Sequence, residues 1–201
     1  MKPPLIKELE YIENYHMNGR DNYFIRSRML WIIGELDEEK SINTIKYLNF
    51  FDDGSKKPVR LYICSVGGDT DIGFAIIDAM ESSKQNGTPI HTVCVGRCSS
   101  MASLILAAGT KGKRYSYPSA RIMIHKPFYE ETPDGSIKGI EIYKKELEIS
   151  INSYIDTLVN FTGKEKKEIN KALKYDNFMS AKEAIDFGLI DEITTHPIAY
   201  K

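Results

Sequence analysis

The chain has 201 residues, enough for one well-cored domain and crowded for two. An apolar fraction of 42% is ordinary for a soluble globular protein, and a net charge of −1 with scattered basic residues leaves no electrostatic footprint for nucleic acid. The amino end, MKPPLIKELEYIENYHM, lacks the continuous apolar core of a signal peptide, and no apolar run is long enough to span a bilayer, so a cytoplasmic protein without membrane contact is expected.

Residues 1–24 are polar and aromatic without a period and read as an amino-terminal arm. MLWIIGELD is a short apolar strand closed by a glycine turn, and SINTIKYLNFF then sets Ile42, Ile45, Leu48 and Asn49 at helical spacing. After the loop DDGSKKP, VRLYICSV alternates as a strand and stops at Gly67-Gly68-Asp69. A helix starts at once, with Ile72, Ala75, Ile76, Ala79 and Met80 on one face. QNGTP breaks it, IHTVCVG is another apolar strand, and SSMASLILAAGT reads as a buried helix of small and apolar residues. RIMIHKP is a strand ended by Pro127. From Lys138 to Phe161 the spacing predicts a helix roughly 36 Å long. One side carries Ile140, Tyr143, Leu147, Ile151, Tyr154, Leu158 and Phe161, and a second carries Ile142, Ile149 and Ile155, which predicts packing against two surfaces. Helices near 165–174 and 180–187 and the strand GLIDEI close a domain spanning 25–193, with 194–201 as a tail. Strands alternating with helices give an α/β class.

Cys64, Cys94 and Cys98 are odd in number and two of them sit in apolar strands or turns, the pattern of buried, reduced thiols. No second pair or nearby histidine completes a zinc set around Cys94 and Cys98, so neither metal nor cofactor is expected.

Two strand–turn–helix units carry the chemistry: ICSVGGDTDIGFAI and CVGRCSSMASLI. Where a strand ends in glycine and a helix begins, backbone N–H groups are free. Two such ends side by side make an oxyanion hole, from Gly68 and the residue after a nucleophile. Of the adjacent serines, Ser99 suits an N-cap and Ser100 suits the nucleophile, followed directly by the Met101 N–H. The bases on offer are His16, His91, His125 and His196. His125 ends an alternating strand before a proline loop, the usual place for a functional side chain. Lys111, Lys113 and Lys126 keep a serine–lysine dyad open, and Asp156, Asp176, Asp186 and Asp191 compete as the orienting acid.

With these residues in place the sequence resembles the proteolytic subunit of the Clp protease. LYICSVGGD is similar to that family's strand and Gly-Gly turn, GRCSSMASLILAAGTKGKRYSYPSARIMIHKP to its nucleophile helix and histidine strand, and YDNFMSAKEAIDFGLID to its acid turn and last helix. The resemblance runs from Ile25 to Ile193. It implies an α/β fold of the Clp protease and crotonase kind, a stacked β-α superhelix with a protruding handle helix over 138–161. It also implies a serine endopeptidase with Ser100 as nucleophile, His125 as base, Asp176 as acid, and the Gly68 and Met101 amides as oxyanion hole.

The resemblance further implies seven-subunit rings, stacked in pairs into a fourteen-subunit chamber, that take peptides and unfolded chains from an AAA+ unfoldase. Four places depart from the family pattern. Val66 replaces a proline before Gly-Gly, Lys174 and Tyr175 replace an Asp-Arg pair that helps couple ring contacts to the active site, Glu130–Ser136 is longer and more acidic, and the amino-terminal arm does not align. Two other readings use the same residues: an acyl-coenzyme-A enzyme of the crotonase superfamily, in which Ser100 and His125 would be idle, and a structural subunit with a misaligned triad.

Overall fold

The computed structural model describes residues 19–128 and 136–196. In chain order these form α1 (Gly19–Arg26), β1 (Met29–Leu36), α2 (Glu38–Phe51), β2 (Val59–Gly68), α3 (Thr70–Gln85), β3 (Ile90–Ser99), α4 (Met101–Ala107), β4 (Arg114–Ser116), β5 (Arg121–Ile124), α5 (Ile137–Thr162), α6 (Lys166–Ala172), β6 (Asn177–Ser180), α7 (Ala181–Phe187) and β7 (Glu192–Ile193). The α/β class follows, with one mixed sheet. The loop Glu130–Ser136 and the first eighteen residues of the arm fall outside the described residues, apart from Ser136 itself.

The sheet runs β1-β2-β3-β4-β7, and β5 pairs with β3 and with β6. Every pairing is parallel except the antiparallel β5–β6. Parallel strands are buried on both faces, and Val59 to Ile63 of β2 are buried without a break where the sequence reading expects alternation. β3 has two partners in succession. Thr92 to Cys94 pair with β4, and beyond Gly96, at φ +76°, Arg97 to Ser99 pair with β5. That turn re-aims the strand and carries the two serines away from β4 toward the histidine strand.

Local chemistry fixes the ends. The Asp37 carboxylate caps α2 by accepting from Lys40 N–H at 2.8 Å, so the helix begins at Glu38 rather than at Ser41. Ser180 and Glu183 close a reciprocal capping box on α7. The helix α4 is buried on all sides, Met101 to Ala107, as its small and apolar composition requires. It lies in the main core with Ile63, Ile76, Met80, Ile122 and Leu158.

Three differences from the sequence reading have physical causes. A helix, α1, occupies 19–26, where no apolar period signalled it. The strands β4 and β6, of three and four residues, are too short to show an alternation. On α5 only Tyr154, Ile155 and Leu158 are fully buried, while Ile137, Ile140, Ile142, Tyr143 and Ile149 are exposed. The expected two-sided packing therefore holds only for the carboxyl half within one chain. Among the described residues no helix is long and apolar enough to cross a membrane.

Candidate active site

Three ladders bring the site together. β3 and β5 pair Ser99 with Met123, and the Ser100 N–H donates to the Met123 carbonyl at 2.9 Å, so Ser100 lies beside the end of the histidine strand. β5 and β6 pair Ile124 with Asn177 in antiparallel register, which sets Asp176, one residue earlier, across from His125, one residue later. β2 and β3 pair Ser65 with Cys98, so the next two residues lead Gly67 toward Ser100. Residues far apart in sequence become neighbours because each lies at or next to an end of one of four adjacent strands.

Ser100 is unusual in its backbone. Ser100 stands at φ 53°, ψ −129°, a region a side-chain-bearing residue occupies only when its surroundings hold it. It occupies the N-cap position of α4, yet its hydroxyl makes no capping bond. The sequence reading gave the N-cap to Ser99. Ser99 is instead the last residue of β3, because its pairing with Met123 extends the strand and delays the helix by one residue. The Ser100 hydroxyl faces the Nε2 of His125 at 2.8 Å. Its carbonyl accepts from the N–H of Ser103 at 2.9 Å and from the Ser103 hydroxyl at 2.6 Å. The Tyr154 hydroxyl, from α5, approaches the same carbonyl at 3.5 Å. Tyr154 is wholly buried, and burial pushes its phenol well above the ordinary range. Neither Ser103 nor Tyr154 stood out in the sequence, where both read as core positions of helices.

His125 Nδ1 lies 3.5 Å from an Asp176 carboxylate oxygen, longer than a formed hydrogen bond. The His125 side chain is 18% exposed and that of Asp176 60%. The Phe128 ring meets the imidazole edge-on, 5.5 Å between centroids. For Nε2 to accept the Ser100 proton, the ring's own proton must sit on Nδ1, the nitrogen facing Asp176. The competing residues are engaged elsewhere. Asp191 is held by Arg114, at 2.6 and 2.9 Å, and Asp156 pairs with Lys166 at 2.7 Å. Burial works against the Asp191 charge, but the Arg114 guanidinium and the backbone N–H groups of Arg114 and Gly112 hold its carboxyl below the usual range. His91 lies in the first half of β3, pushed down to about 4 by burial and by Lys113 and Arg60. His196, Asp186 and the lysines Lys111, Lys113 and Lys126 are exposed, and His16 lies outside the described residues.

The Gly-Gly turn closes on Ser100. A Cβ at Gly67, φ +97°, would stand 2.7 Å from Ser100 Cβ, 2.7 Å from the Ser99 carbonyl and 3.1 Å from the Met101 N. A Cβ at Gly68 would stand 2.5 Å from the Leu36 carbonyl. Only glycine permits this approach. The turn thus lies against the start of α4, where the Met101 N–H has no carbonyl a turn behind it. Gly67, Gly68, Ser100, Met101 and His125 line one cleft of about 490 Å³, completed by Glu35, Val66, Asp69, Thr70, Met123, Pro127, Phe128 and Tyr154. A hydroxyl within reach of an imidazole, next to backbone amides at a helix start, is an arrangement suited to acyl transfer.

Below this cleft, Cys94 and Cys98 are buried free thiols, and burial together with Cys94 pushes the Cys98 thiol up. Both fill the core rather than the site.

A family model described as Clp protease matches residues 14–197. The match spans every element from β1 to β7, and with it the whole cleft. The chain belongs to the Clp protease family, and the α/β architecture with its mixed sheet is consistent with that family's fold.

Proposed function

We propose that this member of the Clp protease family is a serine endopeptidase in which Ser100, His125 and Asp176 act as a triad. The observation that carries the reading is the 2.8 Å approach of Ser100 Oγ to His125 Nε2, inside a cleft that has room for a peptide. An acyl-coenzyme-A enzyme of the crotonase kind would have no use for that contact.

The Ser100 oxygen attacks the scissile carbonyl as its proton passes to His125 Nε2. The oxyanion is met by the Met101 N–H and the Gly68 N–H. As the C–N bond breaks, His125 returns the proton to the leaving amine, and an ester to Ser100 remains. Water, deprotonated by the same nitrogen, then releases the acid and restores the hydroxyl. Asp176 keeps the Nδ1 proton in place and stabilises the imidazolium as it forms.

The exposed isoleucines of the amino half of α5 support self-association into rings, singly as heptamers or stacked as tetradecamers, with the clefts inside. Substrates are then peptides and unfolded chains, threaded by an AAA+ unfoldase in the cytoplasm. No stretch of this chain resembles an ATP-binding loop, so folded proteins should survive the particle alone. The test is cleavage of a fluorogenic peptide by the purified chain and by Ser100→Ala. The reading requires a loss of several orders of magnitude in the variant, and equal rates would refute it.

A further inference from the structure

The geometry points to Glu35 as a specificity residue that favours a Lys or Arg side chain beside the scissile bond. The inference rests on the peptidase reading of the same cleft and names its substrate class.

Glu35 reaches the cleft through a break in the ladder. The β1–β2 register shifts between Gly34 and Glu35, after which Glu35 lies opposite Gly67 and Leu36 opposite Gly68. A bulge at this place re-aims the strand end. Gly67 is the residue whose absent Cβ would touch Ser100, so Glu35 is one strand spacing, about 4.8 Å, from the backbone that abuts the nucleophile.

The charge at that wall is unopposed. Glu35 and Asp69 are the two carboxylates among the residues lining the cleft, and neither a lysine nor an arginine is among them. One Asp69 oxygen is committed to capping α3, accepting from Asp71 N–H at 2.8 Å and Ile72 N–H at 3.0 Å. Lys40 donates to the Glu35 backbone carbonyl at 2.9 Å and pairs with the Asp37 carboxylate. The Glu35 carboxylate itself takes part in no ion pair among the described residues. The same cleft is lined by the apolar residues Val66, Met123, Pro127 and Phe128. An apolar surface ending in a carboxylate fits a side chain with a long methylene stem and a cationic head. An acidic side chain would meet two like charges in the same space.

Glu35 is exposed, so the discrimination is that of a solvated ion pair, about three- to fivefold. Citrulline separates charge from shape, because it copies arginine without its charge. Two fluorogenic peptides that differ only in Arg or citrulline next to the cleaved bond are compared by kcat/KM, with fluorophosphonate labelling run in parallel on each protein. The arginine peptide should win by about three- to fivefold in the natural chain and lose that margin in Glu35→Gln. In Glu35→Lys the preference should invert, and in the natural chain it should shrink as salt rises. A ratio near one in the natural chain, or an unchanged ratio in Glu35→Gln, overturns the assignment while labelling and cleavage leave the peptidase reading standing. A chain that neither takes the label nor cleaves either peptide overturns both.

Discussion

Gly67→Ala puts a methyl group where the turn and the nucleophile already meet. Gly67 has φ +97°, and an alanine there carries a backbone cost of about 1–3 kcal/mol. Its methyl would arrive 2.7 Å from both Ser100 Cβ and the Ser99 carbonyl, about 1 Å inside ordinary contact. Neither neighbour is the loose end of a flexible chain. Ser99 is fixed by its pairing with Met123, and Ser100 by its N–H bond to the Met123 carbonyl. Overpacking of that kind costs a further 1–3 kcal/mol or so, giving about 4 kcal/mol together. For a domain of this size the melting temperature should fall by roughly 12 °C. Whatever relief the site finds must come from moving Ser100, and a displacement near 1 Å costs roughly a hundredfold in rate. Gly112→Ala is the control, since Gly112 has a similar backbone, φ +80°, with nothing within 4 Å of its Cβ position. It should lose about 1 kcal/mol and keep its rate. Thermal melts and peptide kcat/KM on both variants decide the matter. If Gly67→Ala matches Gly112→Ala in melting and in rate, the close approach of turn and nucleophile is not what the chain requires.

Asp176→Asn should lower kcat by about ten- to a hundredfold, less than the roughly 10⁴ of a fully bonded triad acid, because the carboxylate is 3.5 Å away and 60% exposed. An unchanged rate would return the role to the other aspartates. Tyr154→Phe removes a hydroxyl from beneath the Ser100 carbonyl and should reduce kcat a few-fold at constant KM, whereas a change confined to KM would contradict a positioning role. The Asp191 carboxyl titrates below its unfolded value, so the stability it brings is complete above about pH 4 and is lost as pH falls through the lower folded value; urea midpoints for Asp191→Asn should lack that acid step. Lys174 and Tyr175 stand where the resemblance puts an Asp-Arg pair, and Lys174 lies over the Tyr175 ring at 5.5 Å, so stacking in the proposed rings should rest on the exposed apolar residues of α5. Native mass spectra across a salt series should then show double rings that persist or single rings throughout, and double rings that dissociate as salt rises would show an ionic contact instead.

Much of this site was legible because the Gly-Gly turn, the serines and His125 each follow an apolar strand. The apolar runs before Gly67 and before His125 announced β2 and β5, and the glycine and proline after them announced where the chain must turn. Spacing could not say which aspartate faces the histidine. That depends on the antiparallel register of β5 with β6, and β6 is four residues long with no alternation of its own. Local rules put Ser100 ahead of Ser99 as the nucleophile but set the N-cap one residue early, since a strand that continues through a glycine shifts the helix start by one residue. Tyr154 was hidden by its apolar neighbours, and only the packing of α5 against α4 gives its hydroxyl a meaning. Glu35 was hidden by a bulge, which leaves no mark on the pattern of a strand that otherwise reads MLWII.

The most direct test is to map the adduct left by a fluorophosphonate on the intact chain and to repeat the mapping in His125→Ala and Lys126→Ala. The account expects a single adduct on Ser100, formed at its usual rate in Lys126→Ala, whose side chain is exposed, and slowed by several orders of magnitude in His125→Ala. An adduct on Ser99, or labelling of Ser100 that survives the loss of His125 and fails with the loss of Lys126, would contradict it.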